Sequence, residues 1–355
     1  MRGRYKYKDK KEMKNNSSPK VIMITGAAGY VGAMLCHQFS KSPDLQKIIA
    51  VDMLPMPELL RDNKKIIWIT VNLSENIWKI PAMINKPEVV IHCAWQIKEL
   101  YGKGDLQRKL NVDSSRAVFE FCFKNAFVKK LIYFSTISAY GAYSENELDK
   151  PFTENDELRE AESRYGTEKR EVEMELRDMY ETSNKTKQVF VIRPSSITGP
   201  RGRSMDSKKV GLLNILKNVL PFIPAGPSKW CRQYVHEDDI TDAIAMFTFA
   251  DVKKCPTYDT YILSPNDLVL AEDMAKLFGK SVVKIPPIFI RLAFFLAWHL
   301  SQGKIPTSKG GWRFFCYPIA VDGSKISKEF GFEYSYSSHD ALEKEEGRYG
   351  AEAIT

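Results

Sequence analysis

The fold of this chain can be predicted from the stretch Val21-Ile-Met-Ile-Thr-Gly26-Ala-Ala-Gly29-Tyr-Val-Gly32. Apolar and β-branched residues lead into a turn with three glycines, and a helical pattern follows. Gly26 lets the backbone turn sharply off a strand. Gly29 lets the phosphates of a ligand approach the main chain, and Gly32 lets the helix pack closely on the sheet. Since the start of a helix attracts anions, the stretch predicts a strand, turn and helix that bind phosphate.

An acidic residue at the end of the next strand makes this prediction more specific. Asp52 follows the run Lys47-Ile-Ile-Ala-Val and lies 20 residues after Gly32. A carboxylate at that spacing accepts hydrogen bonds from ribose hydroxyls and repels a 2′-phosphate. The combination predicts an NAD site that prefers NAD over NADP.

Strand-like and helical patterns alternate from residue 20 to about 195. Near-continuous β-branched runs between helices indicate a parallel sheet that is covered on both faces. Such sheets bind ligands outside the carboxyl ends of their strands. The residues expected to converge there are Thr25, Asp52, Asn72, His92, Ser135 and Arg193.

The domain organisation follows from where this alternation begins and ends. Residues 1–19 are predicted to be a disordered basic tail, and residues 20–195 an NAD-binding domain. Residues 196–232 and 264–355 are predicted to form a substrate-binding lobe. Between them, residues 233–263 are expected to cross back into the first domain.

The distribution of charge and cysteine limits the function classes. Of the net charge of +8, the first 20 residues carry +6, with eight Lys or Arg against Asp9 and Glu12. A near-neutral remainder argues against nucleic-acid binding, which needs a clustered basic face. The tail is interpreted as disordered, with a basic arm for RNA or anionic lipid as the alternative. Scattered cysteines and five histidines without ligand spacing predict no metal site and free thiols in the cytoplasm.

One long apolar run, Ile285 to Leu300, raises the question of a membrane. Its 16 residues include two prolines, Arg291 and His299, and a span needs about 20 predominantly apolar residues. No membrane span is therefore predicted. The run is expected to be a helix packed in the second lobe, with two alternatives: a helix that lines an apolar substrate pocket or one that touches a membrane surface.

Tyr165-Gly-Thr-Glu-Lys169 is the candidate for acid–base chemistry. A spacing of four places both side chains on one face of a helix. A nearby cation favours the phenolate, so Tyr165 is predicted to act as a general base on a substrate hydroxyl. The end of the fifth strand offers Ser135, Thr136 and Ser138, one of which is expected to hydrogen-bond the reacting oxygen.

These motifs in order resemble the extended short-chain dehydrogenase/reductase family, the NAD-dependent epimerase/dehydratase group. The resemblance covers roughly residues 20–265, and its motifs are the glycine turn, Asp52, His92-Cys-Ala94, Asn111-Val-Asp, Ser135-Thr-x-x-x-Tyr140-Gly, Tyr165-x-x-x-Lys169 and Arg193-Pro-Ser-Ser-Ile-Thr-Gly-Pro200. It implies a Rossmann-type doubly wound parallel sheet, an α/β fold, with a smaller C-terminal substrate-binding domain. It also implies a homodimer through the helices at residues 105–125 and 160–182.

The resemblance implies roles for individual residues. Thr136, Tyr165 and Lys169 take the catalytic positions, and Arg232 matches an arginine that holds a sugar-nucleotide diphosphate. Trp95 and Ser138 are expected on the substrate side, and His92 is expected to be structural. The cofactor-binding positions are Gly26, Ala28, Gly29, Tyr30, Val31, Asp52, Asn72, Leu73, Ala94, Asn111, Tyr165 and Lys169.

The leading hypothesis is an NAD-dependent epimerase of a nucleotide-sugar, which acts through a transient ketone. A 4,6-dehydratase is disfavoured because Thr136-Ile-Ser138 lacks the carboxylates that elimination needs. The alternative is an NAD(P)-dependent dehydrogenase or reductase of a hydrophobic alcohol or ketone, sterol-like or flavonoid-like. A non-catalytic NAD-binding regulator is a third hypothesis, and the intact Thr136, Tyr165 and Lys169 set argues against it.

Overall fold

A parallel sheet gives the molecule its frame. The strands in the part of the chain that the structure describes are β1 Val21–Thr25, β2 Lys47–Asp52, β3 Ile66–Thr70, β4 Val89–His92, β5 Lys130–Phe134, β6 Gln188–Pro194, β7 Ser196–Thr198, β8 Phe222–Ala225, β9 Cys231–Arg232, β10 Tyr234–His236, β11 Thr257–Leu263, β12 Val269–Leu270 and β13 Ser281–Lys284. Seven of them pair in the order β11-β6-β5-β4-β1-β2-β3, all parallel. Shorter pairs form from β7 with β10, β8 with β13 and β9 with β12.

Helices connect the strands and cover the sheet. A π-helical stretch, Lys109–Asp113, joins α3 to α4, so the predicted helix at 105–125 contains a wide turn. The helices are α1 Tyr30–Phe39, α2 Lys79–Asn85, α3 Gly104–Arg108, α4 Ser114–Lys124, α5 Arg164–Thr182, α6 Pro200–Ser207, α7 Leu212–Asn214, α8 Glu237–Phe249, α9 Ala271–Leu277, α10 Pro287–Leu300, α11 Lys325–Phe330 and α12 Ser338–Glu343.

The structure is a computed structural model that describes residues 18–207, 212–226, 230–249 and 257–349. The predicted basic tail lies outside these ranges except for its last two residues, and Cys255 lies outside them as well. The proposed division into domains, the homodimer and the cytoplasmic location stay predictions.

Alternate residues of β1 belong to two different hydrophobic cores. Ile22 and Ile24 pack in the core that contains residues of α1 and α8, such as Ile244. Met23 packs in the core that contains residues of α4 and α5, such as Val172. Since side chains alternate along a strand, the sheet is covered on both faces. This confirms the predicted α/β fold class with a doubly wound parallel sheet.

Residues after position 195 contribute both to the large sheet and to a separate hydrophobic core. β11 pairs with β6 at the edge of the large sheet, from Thr257 opposite Gln188 to Leu263 opposite Pro194. A separate core is built from the elements around β8, β13, α9 and α10, in the part of the chain predicted to form the second lobe, and is called the second-lobe core below. Among the helices of the described ranges, none combines the length and hydropathy that crossing a bilayer requires.

Candidate active site

A cavity of about 610 Å³ opens at the carboxyl ends of the strands. This volume lies within the range of small-molecule sites, about 300–1,000 Å³. The cavity brings together most of the residues that the sequence predicted for the site. Those that line it are Gly26, Gly29, Tyr30, Val31, Asp52, Asn72, Leu73, Ala94, Trp95, Thr136, Ser138, Tyr165 and Arg232.

The glycine turn forms one end of this cavity. Gly26 has a φ of +70°, and a Cβ there would lie 2.6 Å from the amide nitrogen of Ala94. A Cβ on Gly32 would lie 2.1 Å from the carbonyl oxygen of Gly26, so glycine is required for the close contact between helix and turn. Gly29 precedes α1 and gives its first-turn amides no side-chain cap. These amides therefore remain able to bind the phosphates of a dinucleotide.

The carboxylate of Asp52 lies beside that turn. Its oxygens accept hydrogen bonds from the backbone N–H groups of Ala28 and Leu54, each at 2.9 Å. Each carboxylate oxygen can accept a second hydrogen bond. Because Asp52 also lines the cavity, its position suits the ribose hydroxyls of NAD. The free amides of α1 and this oriented carboxylate together fit the cofactor.

Three predicted cofactor residues are not among the residues that line the cavity. Ala28 uses its N–H to orient Asp52. Asn111, in the π-helical stretch, accepts a hydrogen bond from the N–H of Gln96 at 2.7 Å and donates one to Glu168 at 2.8 Å. Its amide is therefore fully engaged in holding the loop around Gln96. Direct contact of Ala28, Asn111 or Lys169 with the cofactor stays a prediction.

Thr136 and Tyr165, the predicted acid–base residues, both line the cavity. The Thr136 hydroxyl accepts a hydrogen bond from the N–H of Ser138 at 3.1 Å. Burial raises the pKa of Tyr165 above 10.0, and a side-chain hydrogen bond with Thr136 lowers it in part. A donor to the phenolate favours the ionised form. The hydrogen bond with Thr136 therefore offsets part of the rise in the Tyr165 pKa, and the role of Tyr165 as a base stays a prediction.

Lys169 lies behind Trp95. Its Nζ donates to the carbonyl oxygen of Phe134 and sits 3.7 Å from the centroid of the Trp95 ring. Burial lowers the pKa of Lys169 from 10.5 to about 7, and the nearby Cys93 and Glu173 offset part of this lowering. The hydrogen bond with Thr136 lowers the pKa of Tyr165, and the predicted lowering by the lysine cation stays a prediction. The desolvated lysine loses its charge near neutral pH.

Several residues at the strand ends lie behind the cavity wall instead of on it. His92 is buried between the hydroxyls of Thr25 at 2.7 Å and Ser115 at 2.8 Å, and burial lowers its pKa to about 3. A neutral imidazole with a hydrogen bond at each ring nitrogen fits the structural role expected for His92. Arg193 forms a buried ion pair with Glu173 and does not line the cavity. The prediction that all six strand-end residues converge on the crevice was therefore wrong: Asp52 and Asn72 line the cavity, whereas Thr25, His92, Ser135 and Arg193 do not. Buried partners hold Arg193 in its ion pair with Glu173 and His92 in its hydrogen bond with Thr25.

Arg232 reaches the cavity from the second lobe. Its guanidinium lies 4.9 Å from the ring centroid of Trp230, 5.3 Å from Phe315 and 5.8 Å from Phe314. It donates one hydrogen bond, to the carbonyl oxygen of Cys231 at 3.2 Å. Within the described ranges no carboxylate pairs with it. The guanidinium of Arg232 therefore keeps hydrogen-bond donors that an anion in the cavity could engage, and its role in binding stays a prediction.

Sequence reasoning missed part of the cavity wall. Ser195 is 4% exposed, lines the cavity and has a hydroxyl without a hydrogen-bond partner in the described chain. Its place in the motif Arg193-Pro-Ser-Ser could have identified it. Further wall residues without a sequence signal are Ile97, Gln233, Phe314 and Ile319. No cluster of three metal-ligand side chains occurs in the described ranges.

Comparisons with known proteins agree with this geometry. A model of the NAD dependent epimerase/dehydratase family matches residues 22–258. An uncharacterized protein of Mycobacterium tuberculosis is 21% identical over 336 residues, which cover 92% of this chain and 83% of that protein.

Solved structures share the fold. A UDP-glucose 4-epimerase of Stenotrophomonas maltophila, with bound NAD and formylated UDP-arabinopyranose, superposes with a TM-score of 0.69 at 16% identity. The superposition covers 91% of this chain and 95% of the epimerase chain. A dTDP-glucose 4,6-dehydratase of Bacillus anthracis in complex with NAD superposes with a TM-score of 0.65 at 20% identity, and the superposition covers 91% of this chain and 94% of the dehydratase chain. At these identities the likeness shows the fold. With the family model spanning most of the chain, the protein belongs to the NAD-dependent epimerase/dehydratase family and is an NAD-dependent enzyme of the extended short-chain dehydrogenase/reductase type.

Proposed function

We propose that this enzyme epimerises a nucleotide-sugar, and the unpaired Arg232 in the cavity is the observation that carries the proposal. Arg232 lines the same cavity as Thr136 and Tyr165. A diphosphate offers the anion that its guanidinium lacks, and it can be bound by two parallel hydrogen bonds. The aromatic rings around Arg232 limit its motion, so the cation is already placed for such a ligand.

The acid–base groups support chemistry at a sugar hydroxyl. NAD, when bound, supplies hydride acceptance and return. Tyr165 takes the hydroxyl proton, and the Thr136 hydroxyl stabilises the phenolate form of the base. Ser138 and Ser195 line the cavity with further hydroxyls that can orient the sugar. The glycine turn and Asp52 hold the cofactor at the other end.

The composition of the wall disfavours elimination. Of the described residues that line the cavity, Asp52 alone carries a carboxylate, and it lies beside the glycine turn. A 4,6-dehydratase needs an acid near the substrate, next to Thr136. Ile137 and Ser138 occupy those places.

A dehydrogenase or reductase of a hydrophobic alcohol is the second candidate. Trp95, Ile97 and Phe314 line the cavity and give part of it an apolar wall. The apolar helix α10, which also suggested such a substrate, does not line the cavity. An apolar alcohol would leave Arg232 unpaired, so the nucleotide-sugar is favoured.

A coupled measurement of cofactor and product separates the two reactions. Purified enzyme with NAD is incubated with UDP-glucose or UDP-galactose, and products are resolved by chromatography while reduced cofactor is followed by absorbance. Interconversion of the sugars without net reduction supports the epimerase. Net reduction of NAD by an apolar alcohol, with both sugars unchanged, contradicts it.

Substitution of Arg232 tests the site. We expect Arg232→Met to raise the KM for the nucleotide-sugar by about tenfold or more, since a charged hydrogen bond contributes about 1.5–3 kcal/mol. NAD affinity should stay unchanged. Arg61→Met, at an exposed arginine that pairs with Glu58, serves as the control and should leave both values unchanged.

A further inference from the structure

Helix α10 carries an apolar face that no described residue covers. Ile290 and Trp298 are buried, and Ile290 and Phe294 pack in the second-lobe core, so one side of the helix holds it to the protein. The opposite side exposes large apolar side chains. They are Ile288 at 62%, Phe289 at 59%, Leu292 at 50%, Phe295 at 57%, Leu296 at 45% and Leu300 at 82% exposed. Soluble monomers rarely expose such a contiguous patch unless it has a partner.

The surroundings of this face are basic. The sequence has no Asp or Glu between Asp273 and Asp322, and it has seven Lys or Arg there. Four of these basic residues are exposed and make no ion pair with any described residue: Lys284, Arg291, Lys304 and Lys309. Glu162 already pairs with Arg313, whose hydrogen bond lowers the pKa of that carboxyl, and the charges of Arg291 and Lys309 lower this pKa further. The partner of the face is therefore both apolar and negatively charged.

The length of α10 determines whether the helix can span a bilayer or only bind to its surface. Its 14 residues extend about 21 Å at 1.5 Å per residue, less than the hydrocarbon thickness of about 30 Å. A helix with apolar residues outward and basic residues beside them lies in the interfacial plane of an anionic membrane. We propose that α10 docks this enzyme on the surface of an anionic lipid bilayer.

A second copy of the chain fits the face less well. An isologous contact would place the basic residues around α10 of one copy against the same residues of the other. Like charges directly opposed in an interface are destabilising. Anionic headgroups instead neutralise Arg291 and Lys284 while the acyl boundary takes up the apolar side chains.

The docking face adjoins the mouth of the cavity. Tyr101 packs 5.6 Å from the Trp298 ring, and its hydroxyl lies 3.2 Å from Nδ1 of His299. Lys98 donates to the carbonyl oxygen of Lys304 at 3.0 Å. Ile97, which lines the cavity, is 66% exposed in the same loop. Docking through α10 therefore brings the cavity mouth close to the bilayer.

Flotation of the full chain with lipid vesicles tests the proposal without any reference to activity. Vesicles of phosphatidylcholine alone are compared with vesicles that contain one-quarter phosphatidylglycerol. The test variant carries Leu292→Ser, Phe295→Ser and Leu296→Ser, all at exposed positions. The matched control carries Ile77→Ser, Ile80→Ser and Ile84→Ser, whose side chains are 61%, 63% and 73% exposed on and beside α2. Thermal unfolding by circular dichroism checks that both variants are folded.

We expect wild-type and control proteins to float with the anionic vesicles, and the α10 variant to bind roughly tenfold less. A charge variant, Lys284→Gln, Arg291→Gln and Lys304→Gln, should also bind less, and salt at about 1 M should weaken wild-type binding because it screens the headgroups. Absence of wild-type flotation overturns the proposal. So does equal binding of the α10 variant, which would assign membrane binding to another part of the chain. A wild-type dimer in light scattering that becomes monomeric in the α10 variant assigns the face to a second copy and also overturns it.

Discussion

Replacement of Lys169 by methionine should stabilise the cofactor-free protein at about pH 6 while removing its activity. In the unfolded chain a lysine keeps its proton up to about pH 10.5, whereas burial lowers the pKa of Lys169 in the folded protein to about 7. Between these values the unfolded chain binds more protons, so the free energy of unfolding rises with pH there. Below about pH 7 the folded protein holds a buried charge at full cost.

The magnitude follows from the two pKa values. The difference between 10.5 and about 7 corresponds to about 5 kcal/mol at about 1.36 kcal/mol per unit of pKa. Methionine also removes the contact with Trp95, about 1–2 kcal/mol, and leaves the carbonyl oxygen of Phe134 without its donor, about 1–3 kcal/mol. The net stabilisation at about pH 6 should therefore be about 0–3 kcal/mol, and it should vanish or reverse by about pH 9.5.

Urea denaturation of wild-type protein and Lys169→Met at several pH values measures this difference. Lys124→Met, at an exposed lysine on α4, is the control and should differ from wild type by a few tenths of a kcal/mol at every pH. A stability difference between Lys169→Met and wild type that does not change with pH would refute the reasoning. It would mean that Lys169 keeps an ordinary pKa in the folded protein.

Three further substitutions test the cofactor turn and the base. Tyr165→Phe should lower kcat by about 10²–10⁴-fold while NAD binding, followed by fluorescence titration, stays nearly unchanged; retained activity would show that another group is the base. Asp52→Ala should weaken NAD binding and reduce discrimination against NADP, and an unchanged cofactor preference would remove the ribose role. Gly32→Ala should lower the free energy of unfolding by about 1–3 kcal/mol or more, because its Cβ would lie 2.1 Å from the Gly26 oxygen; a variant with wild-type thermal stability would contradict that contact.

Sequence reasoning located the cofactor end of the site more completely than the substrate end. The glycine turn, Asp52 and the strand positions depend on local rules, namely backbone freedom, strand alternation and the edge where parallel strands end. Thr136 and Tyr165 come together because one follows β5 and the other begins α5, and both positions were visible as motifs. Ser195 could have been included on the same grounds.

Other features depended on packing between distant segments. The position of Trp95 over Lys169 follows from the loop that Asn111 holds through Gln96, and no pattern in the sequence fixes that loop. The ion pair of Arg193 with Glu173 joins residues 20 positions apart on a strand and a helix. It removed Arg193 from the crevice where the strand pattern had placed it.

The sheet, the glycine turn and the candidate acid–base residues could be predicted from the sequence, because each depends on local spacing along the chain. The charges that remain unpaired and the apolar faces that remain uncovered could be identified only from the tertiary structure. Among the residues that the structure describes, Arg232 has aromatic neighbours and no carboxylate partner, and α10 turns its apolar side outward. Both features depend on packing between distant segments. Burial and pairing are sums over neighbours that are far apart in sequence, so no single stretch can specify them.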